Sequence, residues 1–216
     1  MSLNDELKLL YTEVLEALPS DIRSKLIEEN KKLFSNFVKE KALKENDHAP
    51  NVFFRDKDLK PVYLKDIFEK HHVVLSFSRG TWCPYCNLEL QSLNKIKDKI
   101  EEKGGRLVAV SPELHEFSAK FLIENNIDFP VLSDLSNKAA NEFGLVFELS
   151  PQYREIYKQF NIHLNKLNGE SSWTLPVPAT FIISKNGTIK STYVNADYTQ
   201  RMEPDEILAV MDKLNS

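Results

Sequence analysis

Two short apolar runs, Val73-Val74-Leu75-Ser76-Phe77 and Leu107-Val108-Ala109-Val110, bracket a stretch in which Leu90, Leu93, Ile96 and Ile100 recur at helical spacing. That order constrains the fold more than any other feature of the chain. A buried strand, an amphipathic helix and a second buried strand form a crossover unit, so the strands run parallel with a right-handed connection. Gly104-Gly105 supplies the left-handed stop between helix and second strand. An α/β fold follows, with a central sheet flanked by helices.

The rest of the chain extends this unit on both sides. A helix is expected through Phe117, Phe121 and Leu122, then an apolar segment from Ile127 to Leu132, then a short helix ending at Phe143-Gly144. Near the end, Thr180-Phe181-Ile182-Ile183 and Ile189 to Val194 flank Asn186-Gly187. That dipeptide predicts an antiparallel hairpin with a type I′ turn, which needs positive φ at both central residues. Pro204 falls in the first turn of a final helix carrying Ile207, Leu208 and Met211. A strand pair is expected between Val52 and Leu64, the sheet is therefore mixed, and the region from Ser150 to Trp173 carries no clear pattern.

Upstream, Leu3, Leu7, Leu10, Val14 and Leu18 mark one amphipathic helix that Pro19 closes. Ser20 offers an N-cap to a second helix through Ile22, Leu26, Leu33 and Phe37. Ala49-Pro50-Asn51 ends the helical periodicity, which predicts an N-terminal helical extension over residues 1–46 and one α/β domain over residues 47–216. With 28 Lys and Arg against 32 Asp and Glu the net charge is −4, so nothing draws the chain toward nucleic acid or anionic lipid. No apolar run approaches the ~20 residues of a membrane-spanning helix. The acidic start, Met1-Ser2-Leu3-Asn4-Asp5-Glu6, does not resemble a secretory signal, and Ser2 excludes myristoylation. A cytoplasmic location is expected.

The chemistry concentrates at the chain's two cysteines, Cys83 and Cys86, which share one Cys-Pro-Tyr-Cys segment. Proline is favoured at the first helical position, so Pro84 places Cys83 at the N-cap and Cys86 at the third residue of the helix. There the unpaired N–H groups and the positive end of the helix dipole favour a thiolate, which lowers the Cys83 pKa. Residues three apart on a helix are about 5–6 Å apart, within reach of a disulfide. A buried cysteine pair without chemistry and a zinc site are the alternatives. Zinc needs two further ligands, and His48, His71, His72, His115 and His163 show no second half-site, so no metal is expected.

Trp82-Cys83-Pro84-Tyr85-Cys86 after an apolar strand resembles the active site of the thioredoxin superfamily. Val177-Pro178-Ala179-Thr180-Phe181 resembles the loop where that superfamily carries a cis-proline facing the disulfide. Val108-Ala109-Val110-Ser111-Pro112, Phe129-Pro130-Val131-Leu132-Ser133-Asp134 and Phe143-Gly144 are similar to the peroxiredoxin branch, the alkyl hydroperoxide reductase and thiol-specific antioxidant family. The resemblance runs from about Ala49 to the C-terminus. It implies a thioredoxin-like fold and a thiol-dependent peroxidase that needs no cofactor, with a hydroperoxide as substrate and a thioredoxin-like or low-molecular-weight thiol as reductant.

The chain departs from the Pro-x-x-x-Thr-x-x-Cys pattern of peroxiredoxins: counting back from Cys83 reaches Gly80 and Ser76, and from Cys86 reaches Cys83 and Arg79. The late-strand arginine of that family is replaced by the Pro178 segment. Arg79 and Arg201 are the cations available in its place, each weighed against an ordinary surface charge. Thr81, Trp82 and Pro178 are the other candidates for positioning a substrate, Trp82 as a flat apolar surface beside the sulfurs. Three uses of the Cys83/Cys86 pair stay open: a thiol peroxidase, a protein dithiol-disulfide oxidoreductase, and a redox sensor; the N-terminal helices are expected to be a packed extension of the core, with a partner surface or a homodimer contact as the alternatives. Which sulfur attacks a peroxide also stays open, while Cys83 is the expected point of exchange with the external reductant.

Overall fold

A computed structural model describes residues 1–37 and 41–214. The chain opens with α1 (Leu3–Ala17) and α2 (Ser20–Asn36), then β1 (Phe53–Arg55), β2 (Pro61–Tyr63) and α3 (Leu64–Phe68). The crossover unit is β3 (His72–Phe77), α4 (Pro84–Asn94), α5 (Lys97–Glu102) and β4 (Gly105–Ser111). Next come α6 (His115–Glu124), β5 (Val131–Ser133), a 3-10 turn, α7 (Lys138–Glu142) and β6 (Val146–Glu148). The chain closes with α8 (Pro151–Gln159), α9 (Leu164–Leu167), β7 (Thr174–Pro176), β8 (Ala179–Ile183), β9 (Ile189–Val194) and α10 (Pro204–Leu214).

Seven strands form one mixed sheet in the order β2-β1-β5-β4-β3-β8-β9, and β6 pairs with β7 in a separate ribbon. The expected crossover is present: β3 and β4 run parallel, with Val74 opposite Leu107 and Leu75 opposite Val108. β8 joins the other side of β3 antiparallel, so β3 is central and all six of its residues are buried. Strand alternation divides the core. Val73, Leu75 and Phe77 face one layer with Phe54, Phe68, Phe143 and Phe181. Val74 faces the other with Leu93, Ile96 and Ile100 from α4 and α5 and with Ile207 and Met211 from α10. Each such buried side chain contributes about 1.5–3 kcal/mol through removal of apolar surface from water. Ser76 falls on the same face as Val74, beneath α4, and its hydroxyl donates to Glu89 Oε1 at 3.1 Å.

Four local expectations are corrected. The helix after Cys83 is broken at Lys95–Ile96, where Asn94 turns its side chain to the loop at Asn126 and Asp128. Both pieces still bury Leu93, Ile96 and Ile100. The β8–β9 turn is not type I′. Only Gly187 has positive φ, at 82°, because the Asn186 side chain accepts from Thr188 N–H and Ser184 Oγ and holds its own backbone out of the left-handed region. Ser20 lies inside α2, with Pro19 at the N-cap position. The Val177–Pro178 bond is trans, since no cis peptide occurs among the described residues. Trans is the favoured isomer by about 0.5–1 kcal/mol. Here Val177 N–H donates to Leu145 O at 2.9 Å, extending the strand-like path from β7 into β8. Pro178 is buried there.

The unpatterned region from Ser150 to Trp173 contains α8 and α9. Ser150 caps α8, Pro151 sits in its first turn, and Tyr153, Ile156 and Tyr157 form its buried face. Among the described residues, no helix is long and apolar enough to cross a membrane.

Candidate active site

The backbone leaves β3 at Phe77 and must turn sharply to start α4 at Pro84. Gly80 makes this turn with φ of +131°, and an added Cβ there would meet the Trp82 indole nitrogen at 2.6 Å. Glu113, just past β4, clamps the turn: its Oε2 accepts from both Thr81 N–H and Thr81 Oγ1 at 2.8 Å. Asn87 Nδ2 donates to Thr81 O at 2.8 Å, so the loop is tied to the helix it precedes. Cys83 occupies the N-cap with extended backbone and Pro84 the first helical position, as the spacing predicts. Both cysteines are free and fully buried, at 0% exposure.

Arg79 and Arg201 are not surface charges. Arg79 is 4% exposed and Arg201 1%. Arg79 Nη2 donates to Cys83 Sγ at 3.0 Å and Nη1 to Tyr157 Oη at 3.1 Å, while the guanidinium lies 3.9 Å over the Tyr198 ring. Arg201 Nη2 reaches Cys86 Sγ at 3.7 Å, and its Nε pairs with Glu89 Oε2 at 2.6 Å. Carbonyls of Tyr198 and Gln200 accept from Arg201 Nη1. Each sulfur thus has its own buried cation.

These neighbours divide the two thiols. Burial by itself would raise the Cys83 pKa, but the hydrogen bond from Cys86 and the Arg79 and Arg201 charges outweigh it and hold Cys83 well below the ordinary thiol range. Cys86 moves the other way: burial, its hydrogen bond to Cys83 and the charge on that sulfur push it well above. One thiolate and one thiol is the favoured state of the reduced pair. Burial also raises the Glu89 carboxyl, against the lowering pull of Arg201. Glu113 is raised by burial, partly offset by its bonds from Thr81.

Of the residues singled out in the sequence, Arg79 meets Cys83 directly and Thr81 serves the turn through Glu113. Trp82 packs against Tyr157 with ring centroids 5.4 Å apart, and its indole N–H is buried with no hydrogen-bond partner. Pro178 has no cis bond to present to the sulfurs. The sequence reading missed Glu89, Glu113, Tyr157 and Tyr198. Glu89 had a signal, because it lies three residues past Cys86 and so shares its helix face, an acid among Leu90, Leu93 and Ile96. Tyr157 had none, sitting in the segment without pattern.

The two N-terminal helices close the site. Leu3 and Leu7 of α1 share one apolar cluster with Cys83, Cys86, Tyr85 and Tyr198, and Leu10, Tyr11, Leu33 and Phe34 pack around it.

The residues of this site sit in a fold shared with known redox proteins. The chain is 26% identical over 154 residues to the thiol-disulfide oxidoreductase ResA of Bacillus thuringiensis subsp. konkukian, covering 71% of each chain. It is 26% identical over 147 residues to the putative peroxiredoxin bcp of Helicobacter pylori, covering 68% of this chain and 85% of that one. The crystal structure of peroxidoxin BcpB from Mycobacterium tuberculosis superposes with a TM-score of 0.63 at 20% identity, over 81% of this chain and 99% of that one, which establishes the thioredoxin-like peroxiredoxin architecture. The model of the AhpC/TSA family matches residues 46–192, a span that runs from before β1 into β9 and takes in both cysteines, and the chain belongs to that family of oxidoreductases.

Proposed function

We propose that the protein is a thiol peroxidase in which the Cys83 thiolate attacks a small hydroperoxide and Cys86 resolves the product. The observation that carries this reading is Arg79 Nη2 at 3.0 Å from Cys83 Sγ, in a site where neither sulfur touches solvent. A fully buried cation beside the sulfur favours the thiolate and offers a donor to charge developing on oxygen.

The steps balance as follows. The Cys83 thiolate attacks the outer oxygen, an S–O bond forms, the O–O bond breaks, and alkoxide leaves. Cys86, held as the thiol, protonates that alkoxide and becomes a thiolate facing Arg201. It then attacks the Cys83 sulfenic acid, forming the disulfide and releasing hydroxide, which solvent protonates to water. An external thiol reductant, protein or small molecule, restores both thiols.

A second reading, a dithiol-disulfide oxidoreductase acting on protein disulfides, is favoured by the ResA relatives and uses the same Cys83 thiolate. One experiment separates them. Reduced protein mixed with one equivalent of hydrogen peroxide is expected to lose both thiols in a fast single turnover. Cys86→Ser is expected to accumulate a dimedone-reactive sulfenic acid at Cys83, and Cys83→Ser to accumulate none. A rate equal to that of a free thiol sinks the peroxidase. Fast reduction of a model protein disulfide then selects the second reading, and slow reaction with both selects a redox sensor.

A further inference from the structure

Both sulfurs are sealed, and the α1–α2 hairpin completes the seal that Tyr85, Tyr198 and Trp82 of the central domain begin. Leu3 and Leu7 lie in the same apolar cluster as Cys83 and Cys86, and Tyr11 stacks toward Tyr85 with centroids 6.5 Å apart. Hydrogen peroxide is hardly larger than water and reaches a buried sulfur through small fluctuations. A reductant differs, because its sulfur must approach along the S–S axis with its own carrier behind it. With α1 packed against the pair, neither sulfur is exposed to such a carrier.

Besides this apolar contact, the hairpin is fastened by polar groups. Glu203 accepts from Leu3 N–H at 3.0 Å and Asn4 N–H at 2.9 Å, which caps α1. The Asn4 side chain pairs both ways with the Arg201 backbone, at 2.8 and 2.9 Å. The buried described side chains of α2 are Leu26, Glu29 and Asn30, two of the three polar. Asn30 bridges Tyr153 and Tyr198 at 2.6 and 3.1 Å, and Glu29 accepts from Ser150. The polar groups recover equivalent bonds in water when the hairpin lifts, so the opening is opposed chiefly by its apolar contacts.

These fastenings end on the two arginines that hold the sulfurs. Tyr198, which Asn30 holds, lies under the Arg79 guanidinium, and Arg201, whose backbone holds Asn4, reaches Cys86 with its side chain. Disulfide formation removes the thiolate charge. Arg201 keeps Glu89, but among the described residues Arg79 keeps the Tyr157 hydroxyl and aromatic faces and no carboxylate, as a buried cation.

We propose that the α1–α2 hairpin selects the reactants of this site: closed over the reduced pair it admits only a small oxidant, and it lifts from the disulfide form to admit the thiol reductant. The proposal rests on the Cys83/Cys86 cycle but not on its speed with peroxide. The disulfide is therefore prepared by prolonged incubation with excess hydrogen peroxide and confirmed by intact mass.

Hydrogen exchange by mass spectrometry, comparing the reduced and disulfide forms of the full chain, is expected to show α1 amides exchanging at least tenfold faster in the disulfide form, with β3 and β4 unchanged. Equal α1 exchange in the two forms overturns the proposal, as does acceleration spread equally over the central strands. Glu203→Ala, which removes the cap of α1, is expected to raise the reaction of the reduced protein with Ellman's reagent at least tenfold. Its hydrogen peroxide rate should change less than twofold. An unchanged Ellman's rate in a folded variant, shown by native β3 and β4 exchange, overturns it. A slow peroxide rate alongside redox-dependent α1 exchange removes the peroxidase and leaves the hairpin's role standing.

Discussion

Arg79 Nη2 donates to Cys83 Sγ at 3.0 Å across only four residues of chain, and the guanidinium carbon lies 3.9 Å from the Tyr198 ring centre, so the cation is held from two sides against the sulfur. Arg79→Met keeps the aliphatic volume and removes the charge. Because the lowered Cys83 pKa means that its thiolate is lost only as pH falls through a value well below the ordinary thiol range, removing Arg79 moves that loss to higher pH. The expected shift is at least about one pH unit, or ~1.4 kcal/mol. Titrating thiolate ultraviolet absorbance in Cys86→Ser, with and without Arg79→Met, measures it. A titration that does not move assigns the low pKa to Arg201 and to the hydrogen bonds at the helix start instead.

Arg201 and Glu89 form a buried ion pair, 2.6 Å between Nε and Oε2, with the exposures of both side chains at 3% or less. Removing one partner of such a pair strands the other charge in the core, which costs about 3–5 kcal/mol. Glu89→Leu is expected to lower stability by that amount in guanidinium unfolding. The double substitution Glu89→Leu with Arg201→Met is expected to regain at least half of the loss. A double variant no more stable than the single one assigns the loss to packing rather than charge.

Gly144 sits after α7 with φ of +71°, and an added Cβ would lie 2.0 Å from Lys41 O and 2.9 Å from Ala42 Cα. That close approach fastens the segment entering the central domain, where Leu43 N–H also donates to Phe143 O at 3.2 Å. Gly144→Ala adds left-handed backbone strain and a backbone clash, together about 3 kcal/mol. Thermal unfolding checks this, with a drop of less than ~1 kcal/mol at the midpoint showing that the 41–42 segment can move aside.

Much of the fold is legible from residues that act locally. The β3-α4-β4 crossover is written in the apolar runs and in the Leu90, Leu93, Ile96, Ile100 spacing, and α1, α2, α6 and α10 follow from apolar spacing in the same way. The Cys83 N-cap is read from Pro84 alone, since proline lacks the N–H that a first helical turn leaves unpaired in any case. The type I′ turn fails because Asn186 spends its side chain on Thr188 and Ser184, a choice the dipeptide does not display. The segment holding α8 gives no signal because its contribution is aromatic and long-range: Tyr153 and Tyr157 are defined by Asn30 and Arg79, each more than seventy residues away.

From the sequence alone came the chain order of the main sheet's strands and most of the helices flanking it, the pairing of two cysteines at a helix start, and the tilt of Cys83 toward thiolate, because dihedral preference, apolar periodicity and the helix dipole act over a few bonds. What only the tertiary structure decided is the division of labour between the sulfurs. In the sequence Arg79 and Arg201 are candidate cations that could equally be surface charges, and they become buried partners of Cys83 and Cys86 only when the fold supplies Tyr157, Tyr198 and Glu89 around them and closes α1 over the top. Burial makes a charge strong by removing the water that would screen it, and burial belongs to the packed chain rather than to any residue in it.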